Sequence, residues 1–433
     1  MRPVTVAVLG AGNRGSEVYA DYVSRNPHLA RLVAVAEPNE ARRAQFARRY
    51  GLPLTHSFPD WATLLDRGRL ADALVVATPD HEHVAPAVRA VGLGYHVLLE
   101  KPVATDVAGL SQLLQAARSG PGSITVSHVL RYTPFFSTIK DLIEAGRIGR
   151  LVCADHQENI GYWHFAHSYV RGNWRRQADS APMILAKACH DFDLLRWFTG
   201  QPCRRVSSFG ALVHFRPENA PPEAAPRCTD PCPVEPDCPY SAVRLYVRDL
   251  AGWEGWPVSV VTSDFSPAGR LQALRDGPYG RCVYQCDNDV VDHQVVGLEF
   301  ADGTTAALTV CGFTAENTRT VKLMGTRGEI RGHLASGEID IWDFRSGERT
   351  GVQVEGGPGH AGGDQGLMRA FLERTSRLVR GEAPAQALTS LEESVDSHLM
   401  ALAAERARRE GKVVNLDSLR GGLGARLGIQ TTH

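Results

Sequence analysis

Short apolar runs alternate with amphipathic stretches along the first 125 residues. Val4 to Leu9 is apolar and rich in β-branched residues, and Gly10 stops it, the pattern of a strand buried on both faces. Gly10-Ala11-Gly12-Asn13-Arg14-Gly15 follows and runs into an amphipathic helix through about Arg25. Leu32 to Ala36 reads as a second strand ending at Glu37, and about Glu40 to Tyr50 as a helix. The alternation continues with strand Ala73 to Ala77, helix 82–92, strand Tyr95 to Leu99, helix 106–119 and strand Ile124 to His128. Strands separated by helices predict a parallel sheet with right-handed crossovers.

The loop at residues 10–15 has the form G-x-G-x-x-G, which means little alone in a chain with 42 glycines. Its position is informative. It joins a strand to a helix, and the acid Glu37 lies at the end of the next strand, the dinucleotide-binding arrangement. Gly10 makes the tight turn, Gly12 lets backbone approach a pyrophosphate, and Gly15 lets helix pack on strand. The pyrophosphate would rest on the helix N-terminus beside Asn13 and Arg14. Glu37 would accept hydrogen bonds from the adenosine ribose and repel a 2′-phosphate, favouring NAD over NADP. Two further strand ends carry polar motifs, Thr78-Pro79 with His83, and Glu100-Lys101-Pro102. Ligands bind beyond the carboxyl ends of strands in such sheets. Thr78, Pro79, His83, Glu100 and Lys101 therefore join the candidate cofactor site.

G-x-G-x-x-G, T-P-x-x-x-H and E-K-P in this order resemble the Gfo/Idh/MocA family of nicotinamide-dependent oxidoreductases. The resemblance continues through His128 to Pro134, Trp174-Arg175, His190-Asp191-Phe192-Asp193, Leu323 to Gly328 and the helix Ser390 to Arg409. It implies an α/β chain of two units: an N-terminal Rossmann domain over 1–125, and an α/β domain over 126–433 with a large, mostly antiparallel open sheet. Helices would occupy about 364–411. The resemblance also implies a homo-oligomer, a dimer or tetramer, with one sheet face often making the contact.

The family's catalytic set is the Lys of E-K-P plus a His with an Asp four residues before it. Lys101 and His190 match, but Ala186 stands at the Asp position. Lys187, three before His190, would share its helix face. It is a candidate for an acid/base or substrate-binding role, or an ion-pair partner of Asp191. Hydride chemistry belongs to the cofactor, while the protein moves protons. Oxidising a secondary alcohol needs a base, and a histidine has the right intrinsic pKa. Lys101 would act beside it as base or oxyanion partner.

Gly161 to Tyr169, then Arg171 and Trp174-Arg175, are dense in aromatic and hydrogen-bonding side chains. Aromatic faces suit sugar C–H surfaces, and His, Tyr and Arg suit hydroxyls. Arg131, Tyr132, Trp163, His164, Trp174, Arg175 and Asp193 are the candidate substrate contacts. Asp287-Asn288-Asp289 and Asp292-His293-Gln294 either line the same pocket or cap a strand.

Lys+Arg total 47 and Asp+Glu 48, which argues against a nucleic-acid partner. No apolar run has the length of a membrane span, and the N-terminus lacks a cleavage-site pattern. A cytoplasmic location is the default expectation, where nine cysteines would be thiols or metal ligands. Five of them lie in a Pro-rich insertion over about 215–287: Cys228, Cys232, Cys238, Cys282 and Cys286. Such a loop has too little apolar surface to order itself, and four thiolates on zinc would fasten it. Either Cys282 or Cys286 would be the fourth ligand. Free thiols, an iron–sulfur cluster and a disulfide are the other readings.

The leading expectation is an NAD-dependent dehydrogenase or reductase acting on a ring hydroxyl of a sugar, cyclitol or sugar derivative. One alternative is an NAD-dependent glycoside-cleaving enzyme that oxidises, eliminates and re-reduces. Another is a non-catalytic dinucleotide sensor.

Overall fold

Apolar strand runs, glycine breaks and amphipathic helices assemble into two sheets that meet at the candidate site. A computed structural model describes residues 2–426 except 358, 384 and 385. Six parallel strands form the first sheet: β1 (Val4–Leu9), β2 (Ala30–Ala36), β3 (Ser57–Phe58), β4 (Ala73–Val76), β5 (His96–Leu99) and β6 (Ser123–Val126). Their order is β3-β2-β1-β4-β5-β6, so the winding reverses beside β1. That switch point opens a crevice beyond the carboxyl ends of β1 and β4. The predicted elements are present, with shorter ends. β4 stops before Ala77 and β6 before His128, because these residues leave the ladder to build loops at the domain junction.

The second sheet has nine strands: β7 (Leu151–Gly161), β8 (Cys203–Ala211), β9 (His293–Phe300), β10 (Thr305–Thr314), β11 (Thr318–Gly325), β12 (Gly328–His333), β13 (Glu338–Asp343), β14 (Arg349–Gln353) and β15 (Val414–Asn415). Their order is β14-β13-β12-β11-β7-β10-β9-β8-β15, antiparallel except for the parallel pair β7–β10. Strand alternation decides what reaches the inner face. On β7 it turns Ala154, His156, Glu158 and Ile160 inward, all buried. Helices Met183–Thr199 and Leu391–Glu410 pack against the sheet. Just before the second of these, the chain returns to the first sheet. Val126 N donates to Thr389 O at 2.9 Å, and Thr389 Oγ1 donates to Val126 O at 2.7 Å.

The insertion departs from the sequence expectation. Its second half builds a small apolar core of its own from Ala242, Tyr246, Val258, Leu274 and Tyr279. Arg270, buried, donates to the carbonyls of Phe265, Tyr246, Leu250 and Trp253 and ties the surrounding turns together. This half orders itself because its apolar residues, scattered in sequence, converge in space. The stretch 216–240 has no buried residue. No helix among the described residues is long and apolar enough to cross a membrane.

Candidate active site

The glycine loop sits at the sheet's switch point, and each glycine has a separate reason. Gly10 has φ +88°, and a Cβ there would stand 2.4 Å from Ala77 O. A Cβ at Gly15 would meet Gly10 O at 1.9 Å, so only glycine lets this helix start against β1. At Gly12 a Cβ would meet nothing within 4 Å, which leaves that face of the turn open to a ligand's phosphates. Glu37, buried at the end of β2, crosses to the same turn. Its carboxylate accepts from Ala11 N at 2.8 Å and from Asn39 N at 3.0 Å. Open backbone at Gly12 with a carboxylate beside it fits a dinucleotide. Asn13 is held by Glu17 at 2.7 Å. His83 lies between Pro102 O (2.7 Å) and Thr78 O (2.9 Å), so it braces the Thr78-Pro79 turn against the Lys101 loop.

Arg14 turns into the junction. Its guanidinium pairs with Glu100 and with Asp364 (2.9 Å) and donates to Tyr19 Oη. Burial alone would raise the Glu100 carboxyl, but Arg14 and the Tyr19 hydroxyl outweigh it and hold it at about 2. Glu100 then accepts from Lys101 N (3.0 Å) and Ser127 Oγ (2.8 Å), which orients the strand end that carries Lys101.

Lys101 Nζ donates to Ala186 O at 2.9 Å, one turn before His190 on the helix Met183–Thr199. Lysine from one unit and histidine from the other are thereby brought to a common locality. His190 is buried, with His128 Nδ1 3.5 Å from its own Nδ1 and the His360 ring 6.3 Å away. Burial, reinforced by the Lys101 charge, holds His190 well below the usual histidine range, so the ring is a neutral base.

His360 opens onto a cavity of about 690 Å³ whose wall includes Lys187, Glu158, Arg319, His164, Asn317 and Trp256. Lys187 reaches this wall and pairs with Glu158 at 3.3 Å, not with Asp191. Asp191 is taken by His156 (2.8 Å) and Arg319 (2.7 Å). Arg319 also pairs with Glu158. On the wall itself, the cations Lys187 and Arg319 stand with the carboxylates Glu158 and Glu355, so the wall is charge-balanced. Burial lowers the Lys187 ammonium's pKa, against the pull of Glu158. His164 Nδ1 lies 2.9 Å from Asn317 Oδ1, which also accepts from Gly161 N at 2.7 Å. Trp256 comes from the insertion, and its ring stands edge-on to His164 with centroids 4.9 Å apart. His360 and Ala361 have φ of 42° and 53°, a left-handed conformation costing about 1–3 kcal/mol for non-glycine residues. The His360–Asp364 contact at 2.9 Å holds the turn.

Several sequence candidates lie away from the cavity wall, with their polar groups engaged elsewhere. Arg131 is spent internally, with both Asp193 oxygens (2.7 and 2.8 Å), Glu393 (2.7 Å) and Leu388 O (2.9 Å). Tyr132 Oη meets Thr389 at 3.1 Å. Asp193, besides holding Arg131, stands 3.9 Å from His128. Arg131 and Asp193 therefore brace His128 from behind. Trp174 Nε1 and Ser180 Oγ both donate to Asp80 (3.0 and 2.6 Å), tying the two units together. Arg175 pairs with Asp287 at 2.9 Å, outside the cavity. Trp163 packs on Trp256, centroids 5.7 Å apart, one layer behind the wall. Asp292 caps a turn through Val213 N and His214 N. Glu158, Arg319, Asn317, Trp256 and His360 were missed by the sequence reading. The alternating inward positions of β7 were a usable signal for Glu158, whereas the other four converge only through tertiary packing. Among the described residues, no three His, Cys, Asp or Glu side chains stand ready-placed around a metal position.

Comparison with known proteins adds to this geometry. A model of an oxidoreductase family's NAD-binding Rossmann fold matches residues 4–128, and one of its C-terminal alpha/beta domain matches 140–416. The chain is 27% identical over 338 residues to YteT of Bacillus subtilis, a protein named as an oxidoreductase, covering 73% of this chain and 77% of that one. It is 31% identical over 206 residues to an inositol 2-dehydrogenase of Streptomyces avermitilis, spanning 47% of this chain and about half (55%) of that relative. The fold is similar to the crystal structure of an oxidoreductase from Agrobacterium radiobacter in complex with NAD+, L-tartaric acid and magnesium. That match has a TM-score of 0.68 at 15% identity and covers 96% and 100% of the two chains.

Two outcomes follow from the packing. Gly15→Ala should lower stability by about 1–3 kcal/mol in urea unfolding, since backbone must move. Gly12→Ala should leave stability within about 1 kcal/mol while weakening dinucleotide binding in a fluorescence titration. The buried histidines set an acid limit. Burial lowers His128 and His96 to about 4, and His167 and His398 to about 3, from an ordinary 6.5. Between those values the unfolded chain binds more protons than the folded one, so stability rises with pH. The melting temperature should therefore fall steadily from pH 6.5 to pH 4, and a flat profile over that window would contradict the neutral buried rings.

Proposed function

We propose that this chain, which belongs to the Gfo/Idh/MocA oxidoreductase family, acts on CH–OH groups with a nicotinamide cofactor. From that premise we propose that it transfers hydride between NAD and a ring hydroxyl or ketone of a neutral sugar, cyclitol or sugar derivative. The observation that carries this reading is the meeting of Lys101 and the neutral His190 across the two units, beside a charge-balanced polar cavity. The similarity to inositol 2-dehydrogenases supports a cyclitol-like ring.

Bound nicotinamide supplies the hydride acceptor or donor. Gly10, Gly12 and Gly15 with Glu37 would hold the dinucleotide, and the Glu37 carboxylate at the end of β2 would favour a free ribose over a 2′-phosphate. His190 takes the hydroxyl proton as the alcohol is oxidised and returns it in reduction. Lys101 spends one N–H on Ala186 O and has others for the substrate oxygen, steadying negative charge there. With Ala186 in place of an aspartate, no carboxylate shares the lysine's proton. Lys187 and Glu158 offer a donor and acceptors to ring hydroxyls, Arg319 holds Glu158, and Trp256 offers an apolar face to ring C–H. The outer face of the nine-stranded sheet carries the homo-oligomer contact. Support comes from Phe209 and Val295, paired across β8–β9 and exposed together with Phe313.

A panel of sugars, cyclitols and glycosides incubated with NAD decides the reading. Steady NADH formation supports it. Aglycone release without NADH favours redox-assisted glycoside cleavage, and silence on both favours a sensor. With the active substrate, His190→Ala should reduce kcat by about 100- to 10,000-fold. Trp256→Ala should raise KM about tenfold with kcat little changed, the mark of a binding contact.

A further inference from the structure

We infer that Cys228, Cys232, Cys238 and Cys282 are the ligands of a thiolate centre for one divalent ion of the zinc class, which fastens the Pro-rich half of the insertion beside the substrate cavity. All four line a single cavity of about 20 Å³. That is room for about one water-sized particle. Backbone pairing brings them together. Arg227 and Arg281 form an antiparallel bridge, flanked by Cys228 N to Gly280 O (2.8 Å) and Cys282 N to Pro226 O (2.9 Å), which sets Cys228 beside Cys282. Turns closed by Glu235 N to Cys232 O (3.1 Å) and Cys238 N to Glu235 O (3.2 Å) fold the other two back onto this pair.

Two independent observations point to an anionic metal complex here. The first is Arg171, only 1% exposed. Its guanidinium donates to Arg281 O (2.8 Å) and Tyr240 O (2.8 Å) and reaches Cys228 Sγ at 3.5 Å. Among the described residues it has no carboxylate partner. A buried cation without a counter-charge is strongly disfavoured. Four thiolates on a divalent ion carry net charge −2, and that complex would supply the missing anion. The second is the stretch 216–240, which holds three of the four cysteines and no buried residue. Only Ala220, Ala224 and Tyr240 pack, partly buried, on the main core, and a cross-link through the cysteines would fasten the rest. In the structure the four side chains do not converge at bonding distance. Binding turns the sulfurs inward and releases four thiol protons to solvent, one per Sγ–metal bond formed. Cys286 is excluded, because it is absent from the cavity wall and its Sγ is directed to Cys282 O at 3.3 Å.

The test uses the full chain produced with zinc in the medium, with metals measured by mass spectrometry. The expected result is about one zinc per chain, lost in Cys228→Ser and Cys238→Ser and retained in Cys286→Ser. Cobalt added to the zinc-stripped wild type should give sulfur-to-cobalt charge-transfer absorption, a readout that stands even if the serine variants fold poorly. Less than about a tenth of an equivalent of zinc together with no such band overturns the proposal. So does iron with inorganic sulfide, a disulfide among these cysteines, or zinc loss in Cys286→Ser. None of these readouts involves hydride transfer, so the centre and the dehydrogenase reading fail separately.

Discussion

Pairing of buried charge holds this molecule in its working shape. Arg14 shows how. It leaves the glycine loop, enters the junction, and meets Glu100 from the end of β5 and Asp364 from the helix Gly363–Val379. Removing one partner from a buried ion pair costs about 3–5 kcal/mol, because the survivor stays buried and charged. The dinucleotide loop, the strand end that presents Lys101 and the turn that presents His360 therefore share one electrostatic constraint. Asp364 carries it onward, since its other oxygen holds His360 in a backbone conformation that a histidine does not choose unaided.

The same rule orders the cavity wall. Glu158 and Asp191 face Arg319, Lys187 and His156, and each group has an opposite charge or a hydrogen-bond partner within reach. A wall balanced in this way can offer donors and acceptors to hydroxyl groups without demanding a charged substrate. Lys101 donates to the Ala186 carbonyl, which cannot take a proton, and the buried His190 on the same helix is held well below the usual histidine range.

Local features were legible in the sequence because local physics specifies them. Gly10 and Gly15 are demanded by contacts with residues close by in the fold, and Glu37 sits one strand from the turn it caps. Lys101 and His190 were legible through motif resemblance. The partners of Arg131 were not legible, for a physical reason. A conspicuous arginine in a family motif suggests ligand binding, but nothing in the sequence shows that Asp193 and Glu393 occupy its donors. Arg319 and Asn317 were invisible for the same reason, as they matter through partners about 130 to 160 residues away. The insertion was half legible. Its prolines marked an irregular segment, yet Tyr246, Val258 and Tyr279 join a core only after the chain has doubled back.

That insertion contributes to the cavity wall. Its self-cored half delivers Trp256 to the cavity, where the indole stands against His164 and His167. His167 in turn is held by Tyr246 Oη at 2.6 Å and stacks on Tyr279, both from the insertion's own core. The segment is therefore anchored by the residues that shape the substrate wall, and a change in its packing reaches the cavity through one aromatic layer. Stability of the insertion and shape of the cavity therefore rest on the same contacts.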